Sequence, residues 1–393
     1  MTAPGPRGTV AGRRARRATA PTRRRLPELV FDGPHRYGVV RAWPRGRDHA
    51  LAELATADGT RVAAQWFGDP AALREAATTV PEPARVAGDV LLQPGGADAR
   101  LRQLPDVLTE AGAQLVAHRP ARRAVVRLAA ADGTAREYVK VVRPSKGPDL
   151  ARRGALVSEL VGDTVRVPHL IAGSDPARGV LRWSVVPGRT LHDLGAAGGW
   201  TPTQARAAWE RAGRAVARLH TAPRESVTEA HGAAEELAAI TGWLEPAVAH
   251  GLLDAELVER AGQRVLAALE SAPGDPVLGV LHRDLHDKQL LLDADGTVGM
   301  IDVDTLAVGE RALDVANLLV HLELREAQGL LPAELAQAAR AGFLSGSGAA
   351  ELPASRVDAY TRATRLRLAG VYAFRPRWRA VAQALLRQAA GEA

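Results

Sequence analysis

Four aspartates, Asp284, Asp287, Asp302 and Asp304, fall within 21 residues of one another, and the carboxamide of Gln289 stands among them. Apolar runs at 290–292 and 298–301 flank an Asp-Gly pair at Asp295-Gly296. That pattern reads as a loop, a strand, a tight turn and a returning strand, which brings the loop ending at Gln289 beside Asp302. Carboxylates grouped with an amide oxygen suit Mg2+, a hard cation that takes oxygen ligands. Phosphoryl transfer needs an oriented hydroxyl, metal on the phosphates and a cation along the phosphate chain. In that chemistry Asp284 accepts the hydrogen bond and then the proton of a hydroxyl. Gln289 and Asp302 hold magnesium, and Asp304 takes a second magnesium or a ligand water.

The elements around this block must position it. Residues 113–187 read as strand, strand, strand, helix, strand, strand, with a hairpin turn at Asp132-Gly133 and the helix at about 149–161. The two late strands of this lobe are expected at 167–173 and 178–188. From Thr201, a candidate N-cap, the chain is largely helical, with amphipathic stretches at about 202–220, 229–245, 252–271, 310–327, 331–343, 353–371 and 378–390. Residues 27–103 form a separate α+β region with a hairpin turn at Asp58-Gly59 and a short helix near 71–80. A sheet lobe ahead of a helical lobe, with polar loops at the join, predicts a cleft.

Composition narrows the classes. No cysteine occurs, which excludes disulfides, thiolate metal sites and cysteine nucleophiles and fits a cytoplasmic protein. The 51 Lys+Arg against 44 Asp+Glu leave a modest positive charge of +7. Residues 1–26 hold eight arginines and no acid, a pattern read as a disordered, solubilising tail and not as a nucleic-acid arm. No apolar run is long enough for a membrane span. Lysine is scarce, at Lys140, Lys146 and Lys288 only, and Asn317 is the single asparagine.

The block His282-Arg283-Asp284-Leu285, with Gln289 at the position of the loop's amide ligand and Asp302 after Ile301, resembles the catalytic signature of the aminoglycoside phosphotransferase and choline kinase group of the protein-kinase-like superfamily. Asp314-Val315-Ala316 resembles that group's Asp-Leu-Ala. The resemblance implies a bilobal α+β fold, an activity that spends ATP with Mg2+, and a catalytic loop built on His282 and Asp284 and braced by Asp314. It implies further that Lys140, on an alternating strand, meets the ATP phosphates with Glu159 as its ion-pair partner. Arg122 or Arg123, in the first turn of the lobe, is a candidate phosphate contact, with an exposed turn as the alternative. Trp183 and the backbone from Ser184 to Val186 are expected to hold adenine. Gln289 departs from the usual Asn by one methylene, a feature similar to maltokinase-like enzymes, whose extra N-terminal region residues 27–103 also resemble.

The resemblance spans about 113–380. It places the domain limits at 1–26 for the tail, 27–103 for the cap-like region, 104–187 for the sheet lobe and 188–393 for the helical lobe. The expected acceptor is the hydroxyl of a small molecule: a sugar, an amino sugar or a hydroxylated natural product. An aminoglycoside is the second choice, because residues 325–393 carry ten arginines against five acids, whereas a polycation calls for an acidic pocket. An inactive pseudokinase is the remaining alternative. Trp243 or Tyr372 is a candidate sugar-stacking ring, whereas His220 and His286 are expected to serve structure. The chain is expected to be a monomer or homodimer, with no membrane or nucleic-acid partner.

Overall fold

The computed structural model describes residues 25–196 and 198–392; most of the basic tail expected at 1–26 lies outside the described residues. The fold has a β-rich lobe, a helical lobe and an additional β region in front of them. That first region contains β1 (Leu29–Asp32), β2 (His35–Pro44), β3 (His49–Ala55), β4 (Arg61–Phe67), α1 (Pro70–Thr79), β5 (Arg85–Ala87) and β6 (Val90–Gln93). Its six strands form one antiparallel sheet in the order β1-β2-β3-β4-β6-β5. The β3–β4 hairpin turns at the expected Asp58-Gly59, where Gly59 takes a positive φ of 88° that glycine adopts without steric cost. The sheet is anchored on the helical lobe. Ala42 N–H donates to Phe374 O at 2.9 Å, and the Trp66 ring meets the edge of His250 at 5.4 Å.

The β-rich lobe follows as α2 (Leu104–Leu108), β7 (Ala113–Arg119), β8 (Arg123–Ala129), β9 (Ala135–Val142), α3 (Gly147–Val161) and β10 (Val180–Ser184). Its sheet runs β10-β9-β8-β7, four strands instead of five. The segment expected as a strand at 167–173 makes only a single bridge, Leu170 to Trp183. Pro168 has no N–H to give a ladder there. The two-residue period of strands sorts β8 and β9 into two faces. Ala124, Val126, Leu128, Val139 and Val141 pack on Leu101, Leu104 and Val107. Arg123, Val125, Arg127, Tyr138 and Lys140 face the cleft. Helix α3 closes against it through Gly154, where a Cβ would come within 2.3 Å of the Trp183 ring.

The helical lobe contains β11 (Arg189–Thr190), α4 (Leu191–Ala196), α5 (Pro202–His220), β12 (Ala230–His231), α6 (Ala233–Ala249), α7 (Ala255–Ser271), β13 (Leu278–Leu281), β14 (Leu290–Leu292), β15 (Val298–Met300), β16 (Ala307–Glu310), α8 (Arg311–Ala327), α9 (Ala333–Gly346), α10 (Ala354–Ala373) and α11 (Arg379–Ala390). Thr201 caps α5 in a reciprocal box with Gln204. Helix α8 is the centre of the lobe, buried along nearly its whole length. Beneath it, a polar chain links three helices. Glu236 on α6 accepts from Arg367 on α10 at 2.8 Å and pairs with His231 at 3.0 Å, and Arg367 also reaches Asn317 on α8. No helix among the described residues is long and apolar enough to cross a membrane.

Burial alone would raise the Glu236 carboxyl, but Arg367 and His231 outweigh it and hold the group at about 2, against 4.5 for the free side chain. A depressed carboxyl contributes stability above its unfolded pKa and loses it as pH falls through the folded one. Glu236→Gln should therefore lower unfolding free energy at pH 7 by about 3 kcal/mol. The gap to the parent should shrink as pH falls from about 4.5 toward about 2. Urea unfolding at a series of pH values measures both.

Candidate active site

The loop between β13 and β14 carries His282 to Gln289, and one carboxylate fixes its shape. Asp314, in the first turn of α8, is fully buried. It accepts from His282 N–H at 2.7 Å, Arg283 N–H at 2.8 Å and His220 Nε2 at 3.1 Å. Burial pushes this carboxyl up, but the His220 bond and the neighbouring His282 bring it below its ordinary value. A second anchor comes from Asn317, one turn further on, whose Nδ2 donates to Arg283 O at 2.7 Å. Thr305 Oγ1 donates to His282 O at 2.7 Å, and His282 Nε2 donates to Ile301 O at 3.0 Å, which ties this loop to the one bearing Asp302. Arg283 and Asp302 are two of three non-glycine residues with positive φ among the described residues, at 71° and 59°. Such backbone is held against its preference by surrounding bonds.

On this pinned loop Asp284 is exposed and has no hydrogen bond or ion pair to another described residue. Its carboxylate is free to take a hydroxyl proton. Asp287 behaves differently from its three companions. It is buried and accepts both Arg325 guanidinium bonds, at 2.8 and 2.9 Å, with His192 at 2.7 Å. Burial raises this carboxyl, and His192 and Arg325 overcome that to hold it far below the usual range. Asp287 therefore locks the loop to α4 and α8. No sequence signal pairs it with Arg325, 38 residues on.

A cleft of about 650 Å³ separates the two lobes. Gln289, Asp302 and Asp304 line one wall, and Lys140, Arg123 and Arg153 line the other. Lys140 Nζ lies 2.6 Å from Asp304 and 3.3 Å from Asp302. Arg123 approaches the same two carboxylates at 3.7 and 3.8 Å. Burial would raise the Asp302 carboxyl, but Lys140 and Arg123 hold it well below the carboxylate range. Among the described residues no three His, Asp or Glu side chains form a metal cage. The donors here are two partly open carboxylates and a carboxamide, a sparse oxygen set of the kind Mg2+ accepts when waters and phosphate oxygens complete its shell.

Two expectations are corrected. Glu159 does not pair with Lys140: it is exposed on α3, while Val157, Leu160 and Val161 of the same helix are buried. The helix positions that face the cleft are Leu150, Arg153 and Gly154, so a cation stands there and the ammonium turns to Asp302 and Asp304 instead. Arg122 is an exposed residue of the β7–β8 turn, and its neighbour Arg123, on the cleft face of β8, lines the cleft. Trp183, Ser184 and Val186 do line it. The Ser184 peptide N–H is spent on His169 O at 2.9 Å, whereas Val185 and Val186 have no backbone hydrogen bond among the described residues. Trp243 lies beside Phe374 at 6.1 Å, away from the cleft, and Tyr372 is buried with the Arg375 guanidinium over its ring. His220 serves structure, through Asp314. The His286 ring lies tilted against His321, with centroids 4.9 Å apart, and its pKa is brought down to about 4 by burial.

The chain belongs to the phosphotransferase enzyme family, whose model matches residues 115–356, more than half of its length. Among solved structures, the amicoumacin kinase hAmiN with AMP-PNP, calcium and amicoumacin is 15% identical, with TM-score 0.53 over 74% of this chain and 93% of that one. The complex of APH(2")-IIIa with GDP and kanamycin is 17% identical, with TM-score 0.51 over 74% and 96%. APH(3'')-Id from Streptomyces rimosus, with ADP and streptomycin, is 25% identical, with TM-score 0.47 over 69% and 98%. No match is found among curated protein sequences.

Asp314→Ala should free two peptide N–H groups and the His220 ring together. Steady-state phosphotransfer should fall by about a hundredfold or more in kcat, while nucleotide affinity changes by less than about threefold. Fluorescence titration with a nucleotide analogue separates the two effects.

Proposed function

We propose that this phosphotransferase moves the γ-phosphoryl group of ATP to a hydroxyl of a small molecule, a sugar or a hydroxylated natural product. The observation that carries the reading is the pinned loop. It presents one unpaired carboxylate, Asp284, on the same loop as Gln289, which lines the cleft with Asp302 and Asp304.

In this reading Asp284 takes the hydrogen bond of the acceptor hydroxyl and then its proton as the oxygen attacks phosphorus. The new bond joins the acceptor oxygen to the γ-phosphorus, the bond to the β-phosphate oxygen breaks, and ADP leaves with the electron pair. Lys140 and Arg123 stand where they can leave the two aspartates and meet phosphate oxygens. Gln289, Asp302 and Asp304 would hold magnesium, which when bound neutralises charge on the phosphates. Adenine would lie against Trp183 and Val186 and use the free peptide groups of Val185 and Val186. His282 acts through its bond to Ile301 and its N–H on Asp314, as a positioning residue.

Asp284→Asn keeps the shape of the loop and removes the base. Acceptor-dependent ADP release should drop by about a thousandfold or more, with Mg-AMP-PNP binding unchanged. Chelation of magnesium with EDTA should abolish turnover in the parent. Turnover at parental rates in Asp284→Asn would reject the assignment.

A further inference from the structure

Where the β7–β8 hairpin, whose Arg123 lines the cleft, meets the first β-sheet region and that sheet meets the helical lobe, three parts of the chain bring cations together. The β-sheet region contributes Arg41, Trp43 and Arg45. The β7–β8 hairpin contributes Arg119 and Arg122. The helical lobe contributes Arg375 and, from the catalytic loop itself, Lys288. The guanidinium groups of Arg41 and Arg119 both lie on the Trp43 ring, at 4.7 and 4.8 Å from its centroid. Arg375 lies over Tyr372 at 4.1 Å.

These groups feel one another. Burial lowers the Arg119 pKa to about 9, and Arg45, Arg123, Arg122 and Arg41 add to the shift. Burial also lowers Arg375, with Arg41 and Arg325 contributing. Arg45 is lowered by burial and by Arg122. Geometry links the set: Ala42, between Arg41 and Trp43, bonds Phe374 beside Arg375, and Arg325 Nη1 lies 3.5 Å from the Tyr372 hydroxyl while the same guanidinium holds Asp287, the neighbour of Lys288.

Three nearby acids are already committed. Glu53 holds Arg41 and Arg61, Asp98 holds His118 and the Ala121 N–H, and Asp287 holds Arg325 and His192. Arg45, Arg119, Arg122, Arg375 and Lys288 have no carboxylate partner among the described residues, and Arg119 Nε is buried without any hydrogen bond. Partly desolvated cations gathered without counter-charge are unfavourable until an anion joins them. Planar guanidinium groups fixed on aromatic rings are arranged for carboxylate or phosphate oxygens.

We propose that this mouth binds the acceptor through an acidic group, a carboxylate or a phosphate, that the acceptor carries in addition to the hydroxyl that is phosphorylated. The proposal rests on the phosphotransfer reading above, because the mouth is assigned to the acceptor through Lys288, on the loop that carries Asp284. It narrows the acceptor to hydroxy acids or phosphorylated polyols and sets polycationic aminoglycosides aside, since the same field repels them.

The test uses the full chain saturated with Mg-AMP-PNP, so that the triphosphate site is filled before any anion is added. Inorganic phosphate and citrate are then titrated separately by calorimetry, which also tells a phosphate site from a carboxylate site. At least one of them should bind, and Arg119→Gln and Arg375→Gln should each weaken it by about tenfold. Arg74→Gln, an exposed position on α1, serves as the control and should change nothing. Mg-AMP-PNP affinity should be the same in all four proteins, which shows that the variants are folded. Absence of binding by both anions, or binding that survives both substitutions, overturns the proposal and leaves phosphotransfer intact. Failure of Mg-AMP-PNP itself to bind would instead reject the phosphotransfer reading beneath it.

Discussion

The site depends on one buried charge. Asp314 has no exposure to water, and a carboxylate there is tolerable only because three donors meet it. It sits in the first turn of α8, where the helix dipole also favours a negative group. Two of its donors are consecutive peptide N–H groups of the catalytic loop, and the second belongs to Arg283, whose positive φ is unfavourable for an ordinary residue. The buried anion thus holds the backbone in the turn that places Asp284 outward. Asn317 and Arg325, on the same helix, secure the loop at two further points. A single rigid helix consequently sets the geometry of the whole loop.

The opposite wall follows a different electrostatic logic. Lys140 is shared between two carboxylates with no acid from α3 to orient it. Without phosphates in the cleft, the ammonium and the proposed magnesium ligands satisfy one another. In the proposed reaction, a nucleotide with its metal would offer each side a better partner: oxygens for Lys140, Arg123 and Arg153, and a divalent cation for Asp302 and Asp304. Exchange of one set of pairs for the other leaves no buried charge uncompensated at either stage.

Much of this was legible in local pattern. The acids around Gln289, the Asp-Gly turns and the alternation in β8 and β9 are short-range signals, and they placed Lys140 on the cleft face. Asp314 was reachable through its resemblance to a bracing residue. Glu159 failed because the chemical type was matched without the helix phase, which points Arg153 inward. Between the two turn arginines, Arg122 and Arg123, sequence pattern could not choose; the register of β8 starts its cleft face at Arg123. The segment at 167–173 looked extended, but Pro168 and the lack of a second ladder leave it a loop. The Asp287–Arg325 pair and the cationic mouth join segments far apart in sequence, so neither has a local signature. Scarcity helped unevenly, since Lys140, Lys288 and Asn317 all lie at or against the site whereas Lys146 lines no part of the cleft.

The most direct measurement is a crystal structure of the full chain with Mg2+ and AMP-PNP. The account predicts a metal held by Asp302 and Gln289 against the phosphates, with Lys140 moved off Asp304 onto phosphate oxygens and Asp284 facing the γ-phosphate. A nucleotide bound elsewhere, or a cleft in which Lys140 still bridges Asp302 and Asp304 while the analogue lies bound, would contradict it.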